Sequence, residues 1–376
     1  MKQPLVSVII PCRNGAATLP ATLASVMRQT WTAIEIIVVE NNSTDDSLAV
    51  ARAALAGHQD KGPWQVIASD APDVNAAREA GFSQCSGDYV QWLDADDTLG
   101  PGKFEHQVLA LESNPEHDVA HGDWVWKQTI PNLRAPAGAN LNLVIHAIAY
   151  GSREWRRCEH PEDVVGCTFV TGPTNDYLLR LLADFWAPPH AHLVRGRAAR
   201  WLHEHRAWSP LMACATDREY FTVAALHGFR FLHVPGADTV YHTRQDGGQM
   251  TQRINPQMRA QALAGMQQRL SALRRRSDAP PLSDDHRFLL QQDRRLFQPS
   301  RGPDLEAASR ARPEMRAVHE VYARIGHPDT LEQQAKIIAW HAPGWWEQHV
   351  TILRELHRLR DIGAIEPVVP WEGNMQ

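Results

Sequence analysis

The first hundred residues alternate between short apolar runs and longer segments with helical spacing. The apolar runs are rich in β-branched residues and lack a polar alternation, which predicts strands buried on both faces. We assign strands to Leu5–Pro11, Ile34–Val39, Val66–Ile67 and Tyr89–Leu93. We assign helices to Thr18–Thr30, to a segment that begins at Thr44 or Asp45 and runs through Leu55, and to Val74–Cys85. This order predicts a parallel sheet with right-handed crossovers.

The loops that follow three of these strands are polar. They are Pro11–Asn14, Glu40–Ser43 and Asp94–Asp97. In sheets of this kind the ligand sits beyond the carboxyl ends of the strands. We therefore expect the three loops to surround one crevice, although they lie far apart in the sequence.

The loop at Asp94–Asp97 contains three aspartates directly after a buried strand. Crowded carboxylates repel one another unless a cation neutralises them. Mg²⁺ and Mn²⁺ take oxygen ligands, commonly one or two carboxylates together with phosphate oxygens. The loop therefore indicates a divalent metal that carries a diphosphate. The alternative is an acidic loop that caps the helix starting near Pro101, since Asp favours turns and helix starts.

Length and charge limit the classes of function. With 376 residues the chain can form one large α/β domain with an appendage, or two domains. Its net charge of −5 gives no case for nucleic-acid binding or for an anionic membrane surface. We find no signal peptide and no apolar run that could span a bilayer. The five scattered cysteines favour a reducing, cytoplasmic setting, with peripheral attachment at the inner membrane face left open.

The remainder of the chain is less regular. We predict a strand and turn at Val119–Trp124, a loop at Asn132–Asn142, helices at Val194–His203 and Arg218–His227, and a strand at Arg230–Val234. After about residue 250 the composition becomes rich in Arg, Gln, Ala and Leu, which predicts a mainly helical segment.

Several blocks, in their order and spacing, resemble the family 2 glycosyltransferases, which have the GT-A fold. The blocks are Val6–Gly15, Ile36–Asp45, Ala76–Gly81 and Gly87–Asp97. The resemblance is specific over residues 1 to about 125 and looser from 190 to about 250. It implies an α/β fold, a mostly parallel twisted sheet flanked by helices. It implies a transferase domain over residues 1–250, with a nucleotide-sugar-binding half at 1–125 and an acceptor-binding half at 126–250. Residues 251–376 would be a helical extension.

The resemblance also implies roles for individual residues. The expected contacts to the donor nucleotide come from Pro11, Arg13, Glu40, Arg78 and Asp94. Asp96 would bind Mn²⁺ or Mg²⁺ directly. Family members more often carry Asp at the Glu40 position, so the identity of the base stays open.

The general base is expected where the family has an acidic pair before a helix that ends at a glycine. Counting back from Gly228 aligns Asp217 with the second acid, whereas Thr216 replaces the first. A carboxylate in hydrogen-bond reach of a hydroxyl can take its proton. Glu219 is the rival, expected to face solvent, and N-capping of the helix is the alternative role for Asp217.

Residues from the second half are further candidates. His190, His192 and Trp186 lie upstream and are candidates to line the acceptor pocket, with a structural role for each left open. The segment Tyr241–Gln245 corresponds to a mobile loop over the diphosphate in the family. Its His242 would be a third metal ligand and its Arg244 a phosphate contact.

Together these observations predict a metal-dependent, inverting glycosyltransferase with a nucleotide-diphosphate sugar as donor. UDP is the preferred nucleotide, with GDP and dTDP open. The acceptor, whether a glycan, a small molecule or a peptide, is not indicated. The alternatives are a nucleotidyltransferase, or a degenerate transferase that acts as a binding module or scaffold through its C-terminal helices. Self-association into a homo-oligomer through these helices is also open.

Overall fold

The computed structural model describes residues 3–56, 62–129, 154–156, 164–169, 176–182, 187–209, 216–236, 239–243, 281–283 and 286. Within these ranges the chain forms two β-sheets with helices packed against the larger one. None of the helices in this part of the chain is long and apolar enough to cross a membrane.

The first four strands and the helices between them confirm the predicted alternation. The strands are β1 (Val6–Cys12), β2 (Ile34–Asn41), β3 (Trp64–Ser69) and β4 (Tyr89–Trp92). The helices are α1 (Leu19–Met27), α2 (Ser47–Ala56) and α3 (Val74–Phe82). Asp45, rather than Thr44, accepts the backbone N–H of the first residue of α2, at 3.0 Å.

The remaining elements follow in chain order. They are β5 (Thr98–Leu99), α4 (Lys103–Ser113), β6 (Val119–Gly122), β7 (Trp124–Thr129), β8 (Glu154–Arg156), β9 (Val164–Phe169), α5 (Tyr177–Leu182), a 3₁₀ turn (Pro189–Ala191), β10 (His192–Arg195), α6 (Gly196–Glu204), α7 (Thr216–His227), β11 (Phe231–Val234) and β12 (Thr239–Thr243).

The larger sheet has the strand order β11-β6-β10-β4-β1-β2-β3. All of its pairings are parallel except the two made by β10, which runs antiparallel to β4 and β6. The sheet is therefore mostly parallel, as the sequence predicts. The smaller sheet has the order β5-β12-β7-β9-β8 and mixes both directions.

Helices cover both faces of the larger sheet, which is why every residue of β1 and β2 is buried. Apolar residues of α1, α2 and α4 share one core with the sheet, and those of α3, α6 and α7 share the other. Helix α3 approaches very closely at Gly81. A Cβ atom there would lie 2.6 Å from Ile9 Cγ2 and 2.9 Å from Val39 Cγ2.

Two predicted elements differ from the structure. The segment Val194–His203 is not one helix, because Val194 and Arg195 belong to β10 and the helix starts at Gly196. The backbone N–H of Gly196 donates to the Asp88 carbonyl at 2.6 Å, at the junction of β10 and α6. Residues 241–243 of the expected loop form part of β12, which is paired with β5 and β7. The predicted loop at 132–142 and the extension from 251 lie outside the described residues, apart from 281–283 and 286.

Candidate functional site

The loops after β1 and β2 are joined at the carboxyl edge of the larger sheet. Cys12 and Glu40, at the ends of these strands, are paired in register. The backbone N–H of Asn14 donates to Ser43 Oγ at 3.0 Å, and Asn14 Oδ1 accepts the N–H of Thr44 at 2.8 Å. Asn14 has a φ of 55°, a left-handed conformation that Asn tolerates well. Two of the three predicted loops thus form one surface.

The residues expected to contact the nucleotide base lie on this surface. Pro11 is buried at the end of β1, and Arg13 is exposed beside it. Glu40 is buried, and its Oε1 accepts the backbone N–H of Ser43 at 2.7 Å. One carboxylate oxygen of Glu40 therefore holds its own loop.

Arg78 connects the third loop to the second half of the chain. Its guanidinium is buried, and Nη2 lies 2.7 Å from Asp94 Oδ1. Nη1 donates to Asn75 Oδ1 at 3.2 Å and to Thr216 Oγ1 at 3.3 Å. The Cζ atom lies 4.3 Å from the centre of the Trp208 ring, a cation–π contact. We expected Arg78 near the nucleotide; in the structure its guanidinium contacts Asp94.

Asp97 does not cap the following helix, so the alternative explanation of the acidic loop is wrong for this residue. Helix α4 has Gly102 at its N-cap and no side-chain cap. Asp97 is completely buried, and its Oδ1 accepts the backbone N–H of His242 at 2.8 Å. Its Oδ2 lies 3.1 Å from His190 Nδ1, although the two atoms are not aligned for a hydrogen bond.

Acidic residues that are distant in the sequence influence the same titratable groups in this region. Burial raises the pKa of Asp97 well above its usual value, and the nearby charges of Asp96 and Asp94 raise it further. The pKa of the Tyr241 phenol is raised by burial and then by Asp97, Asp96, Asp94 and Asp217. The charges of Asp217 and of the acidic loop therefore act on the same phenol, although these residues are far apart in the sequence.

This set of side chains fits a divalent cation that arrives with a diphosphate. Crowded carboxylates favour a bound cation, because it removes their mutual repulsion. Among the described residues, no three His, Cys, Asp or Glu side chains close around a metal by themselves. A cation held by one or two carboxylates and completed by phosphate oxygens needs no such group. His242 Nε2 is 3.1 Å from Thr98 Oγ1, which keeps its imidazole beside the acidic loop.

Both candidates for the general base lie in the first turn of α7. Asp217 is 9% exposed, whereas Glu219 is completely buried. The expectation that Glu219 faces solvent is therefore wrong. Residues 216–224 are all buried, because α7 packs inside the molecule rather than on its surface.

The two histidines expected in the acceptor pocket are both in the interior. His192 Nε2 lies 2.7 Å from the Tyr177 hydroxyl, and its ring stacks on Phe221 with centroids 3.7 Å apart. Burial lowers the pKa of His192 to about 3. His190 is completely buried against Asp97, and burial lowers its pKa as well. These contacts give both histidines a structural role in the interior, and their place in the acceptor site stays a prediction.

Two expected residues, Trp186 and Arg244, lie outside the described residues. Conversely, the site contains three residues to which the sequence analysis gave no role: Asn75, Trp208 and Tyr241. Asn75 precedes Arg78 by one helical turn, and this spacing was a usable signal. Trp208 and Tyr241 gave no local signal, because their contacts with the site are made across the fold.

Comparison with known proteins defines the class of protein. Residues 7–192 match the family described as glycosyl transferase family 2. A PGL/p-HBAD biosynthesis glycosyltransferase of Mycobacterium bovis (strain BCG / Pasteur 1173P2) is 33% identical over 189 residues, which are 49% of this chain and 68% of that protein. The chain belongs to glycosyl transferase family 2.

Two further comparisons are informative. The glycosyltransferase YibD of Escherichia coli (strain K12) is 31% identical over 124 residues, which are 33% of this chain and 35% of that protein. The match to YibD thus spans about a third of that relative. Residues 1–349 of TarS from S. aureus, in complex with UDP-GlcNAc, superpose with a TM-score of 0.52 at 14% identity, over 96% of this chain and 92% of that one. This likeness concerns the fold, and the expected GT-A architecture is confirmed.

Proposed function

We propose that this protein is a metal-dependent, inverting glycosyltransferase that uses a nucleotide-diphosphate sugar, with UDP as the first candidate for the nucleotide. The observation that carries the proposal is the convergence of the acidic loop and α7, where the Arg78 guanidinium lies 2.7 Å from Asp94 and 3.3 Å from Thr216, the residue before Asp217. It occurs in a family 2 fold, beyond the carboxyl ends of parallel strands, where ligands of such sheets bind. The UDP-GlcNAc held by TarS, a protein of the same fold, supports a UDP-sugar.

The donor nucleotide would bind on the joined loops after β1 and β2. Glu40 would accept a hydrogen bond from the base, and the exposed Arg13 and the end of β1 at Pro11 would contact base and ribose. An unpaired polar edge in such a cleft costs about 1–3 kcal/mol, so a base that matches Glu40 is favoured. Asp94, held by Arg78 at 2.7 Å, would orient the ribose or a water on the metal.

The diphosphate would lie over the acidic loop with Mn²⁺ or Mg²⁺. Asp96 would hold the cation, with His242 as a further metal ligand and Arg244 as a phosphate contact. When bound, the cation neutralises charge that builds on the departing diphosphate.

Asp217 would act on the acceptor. It takes the proton of the acceptor hydroxyl as the new oxygen–carbon bond forms at the anomeric carbon. The bond between that carbon and the diphosphate oxygen breaks on the opposite face, and the nucleoside diphosphate leaves. A single displacement of this kind inverts the anomeric configuration.

Thermal unfolding with UDP-, GDP- and dTDP-sugars, with and without Mn²⁺, tests the proposal. A ligand at a hundredfold excess over its Kd stabilises the native state by about 2.7 kcal/mol. We expect one nucleotide series to stabilise the protein, and to do so more strongly with Mn²⁺. Stabilisation by none of the three would contradict donor binding.

Slow release of the nucleoside diphosphate then separates an enzyme from a scaffold. An active transferase leaks some sugar to water in the presence of Mn²⁺, whereas a degenerate domain releases no diphosphate. Release of pyrophosphate from a nucleoside triphosphate would instead favour a nucleotidyltransferase.

A further inference from the structure

The fourth residue of the acidic loop, Asp97, joins three elements that are distant in the sequence. Strand β12 pairs with β5 only through Thr239 with Leu99 and Val240 with Thr98. Beyond these pairs, the backbone N–H of His242 donates to Asp97 Oδ1 at 2.8 Å. The side chain of Asp97 thus continues a very short ladder and holds the end of β12 that carries His242.

The second carboxylate oxygen of Asp97 lies against the 3₁₀ turn before β10. Its Oδ2 lies 3.1 Å from Nδ1 of His190, in the 3₁₀ turn before β10. The buried side chains of Gln91, Gln107 and Lys103 donate to carbonyl oxygens of residues 190–192, at 3.4, 3.0 and 3.4 Å. This support from inside the molecule fixes the turn, and the turn limits the positions open to the Asp97 carboxylate.

We propose that Asp97 is a positioning residue that holds the end of β12, with its His242, against the acidic loop. The purpose of this placement rests on the proposed function. The contacts of Asp97 themselves do not depend on a ligand. Asp97 is 0% exposed, so water does not compete for its hydrogen bond to His242. A hydrogen bond that water does not compete for is stronger than an exposed one, because the local dielectric is low.

A role as a direct metal ligand fits Asp97 less well than it fits its neighbours. One oxygen of Asp97 is occupied by the N–H of His242 and the other faces His190. The Asp94 side chain, by contrast, is 30% exposed and can be reached from the crevice. The substitution Asp97→Asn distinguishes a positioning role from a role as metal ligand. Asparagine keeps an acceptor oxygen for the His242 N–H but is a poor ligand for a hard cation.

Hydrogen exchange of the full chain, followed by mass spectrometry, tests the placement without any ligand. The peptide that contains residues 239–243 is compared in the parent, Asp97→Asn and Asp97→Ala, with Glu204→Ala as an exposed acidic control. We expect Asp97→Ala to lose protection in this peptide, whereas Asp97→Asn and the control keep it. Unchanged protection in Asp97→Ala would overturn the proposal.

A second experiment tests whether the placement of His242 affects metal binding. Mn²⁺ binding is measured by electron paramagnetic resonance, with Mn²⁺ alone and with Mn²⁺ plus UDP. Loss of a residue that orients a metal ligand lowers metal affinity about 10- to 100-fold, and we expect this for Asp97→Ala. In a His242→Ala background the same substitution should have little further effect, because Asp97 acts through His242. An equal loss in Asp97→Asn and Asp97→Ala would make Asp97 a ligand and would overturn the proposal.

The exchange and Mn²⁺-binding experiments together distinguish a failure of this inference from a failure of the proposed function. If the parent binds no Mn²⁺ with or without UDP, the metal-dependent function fails, and the exchange experiment still decides whether Asp97 holds β12. If Asp97→Ala unfolds, Asp97→Asn alone still decides, because it keeps an acceptor for the His242 N–H and the proposal expects parent-like exchange and Mn²⁺ affinity. A large loss of Mn²⁺ affinity in Asp97→Asn with unchanged exchange at residues 239–243 would make Asp97 a ligand and would overturn the proposal.

Discussion

Arg78 Nη2 and Asp94 Oδ1 lie 2.7 Å apart, and the same guanidinium donates to Thr216 at 3.3 Å. The buried guanidinium of Arg78 therefore connects the acidic loop to the residue before Asp217. Family members often have an acid at the Thr216 position, whereas here a hydroxyl meets the guanidinium. The charge of Arg78 is thus directed mainly at Asp94.

Replacing Arg78 should affect both stability and donor binding. Arg78→Ala leaves Asp94 without its cation. Breaking a buried pair costs about 3–5 kcal/mol, and partial exposure of Asp94 reduces this to about 2 kcal/mol in the free energy of unfolding. Arg78→Lys keeps the charge but not the planar geometry and should lose less. Denaturant unfolding and UDP titration measure the two effects.

Arg52→Ala, in the exposed face of α2, is the matched control and should leave both quantities close to those of the parent. If Arg78→Ala unfolds like the parent and binds UDP equally well, the Arg78–Asp94 contact contributes neither to stability nor to donor binding.

Asp96→Asn should remove the effect of Mn²⁺ on donor binding. An amide oxygen is a weaker ligand for a hard cation than a carboxylate, and the substitution also reduces the crowding of charge beside Asp97. We expect thermal stabilisation by a UDP-sugar to become independent of Mn²⁺ and of EDTA. A variant that keeps the Mn²⁺ response would exclude Asp96 as the ligand.

Asp217→Asn should separate donor binding from transfer. Loss of a general base lowers the rate by about 10²- to 10⁴-fold, whereas the proposed nucleotide contacts are on the other loops. We therefore expect an unchanged thermal response to the donor and a large loss of turnover. Glu204→Gln controls for the loss of an acid in the same half of the chain. Undiminished turnover of Asp217→Asn would move the role of base to another residue.

Stability should depend on pH through His192. Its pKa is about 3 in the folded state, mainly because of burial, against 6.5 as the ordinary value. Between these values the unfolded chain binds a proton that the folded chain does not, so the free energy of unfolding decreases as the pH falls from 6.5 towards 3. The contribution is at most about 1.4 kcal/mol per pH unit. Above 6.5 this group has no effect.

The dependence can be isolated by comparing unfolding curves at several pH values. His192→Gln does not titrate and should show a shallower decrease than the parent, whatever its absolute stability. His106→Gln, which removes an exposed histidine of α4, is the control variant. Equal slopes in the parent and His192→Gln would show that His192 is not the group responsible.

Much of the fold could be predicted because burial leaves a local pattern. The apolar runs of β1, β2 and β4 are covered on both faces, and the structure has strands at these runs. The three polar loops could be placed at one edge because parallel strands share their direction. The family resemblance then gave Asp96 and Asp217 their expected roles, which stay predictions.

Tertiary structure alone decided the partners of these residues. Asp97 binds a backbone N–H that lies 145 positions further along the chain, and Arg78 reaches Thr216 across 138 positions. Glu219 is buried because α7 lies between the sheet and other helices, which its own sequence does not reveal. Local periodicity records which face of a strand or helix is apolar. It contains no information on which distant polar group will meet a carboxylate, because that depends on how the elements pack together.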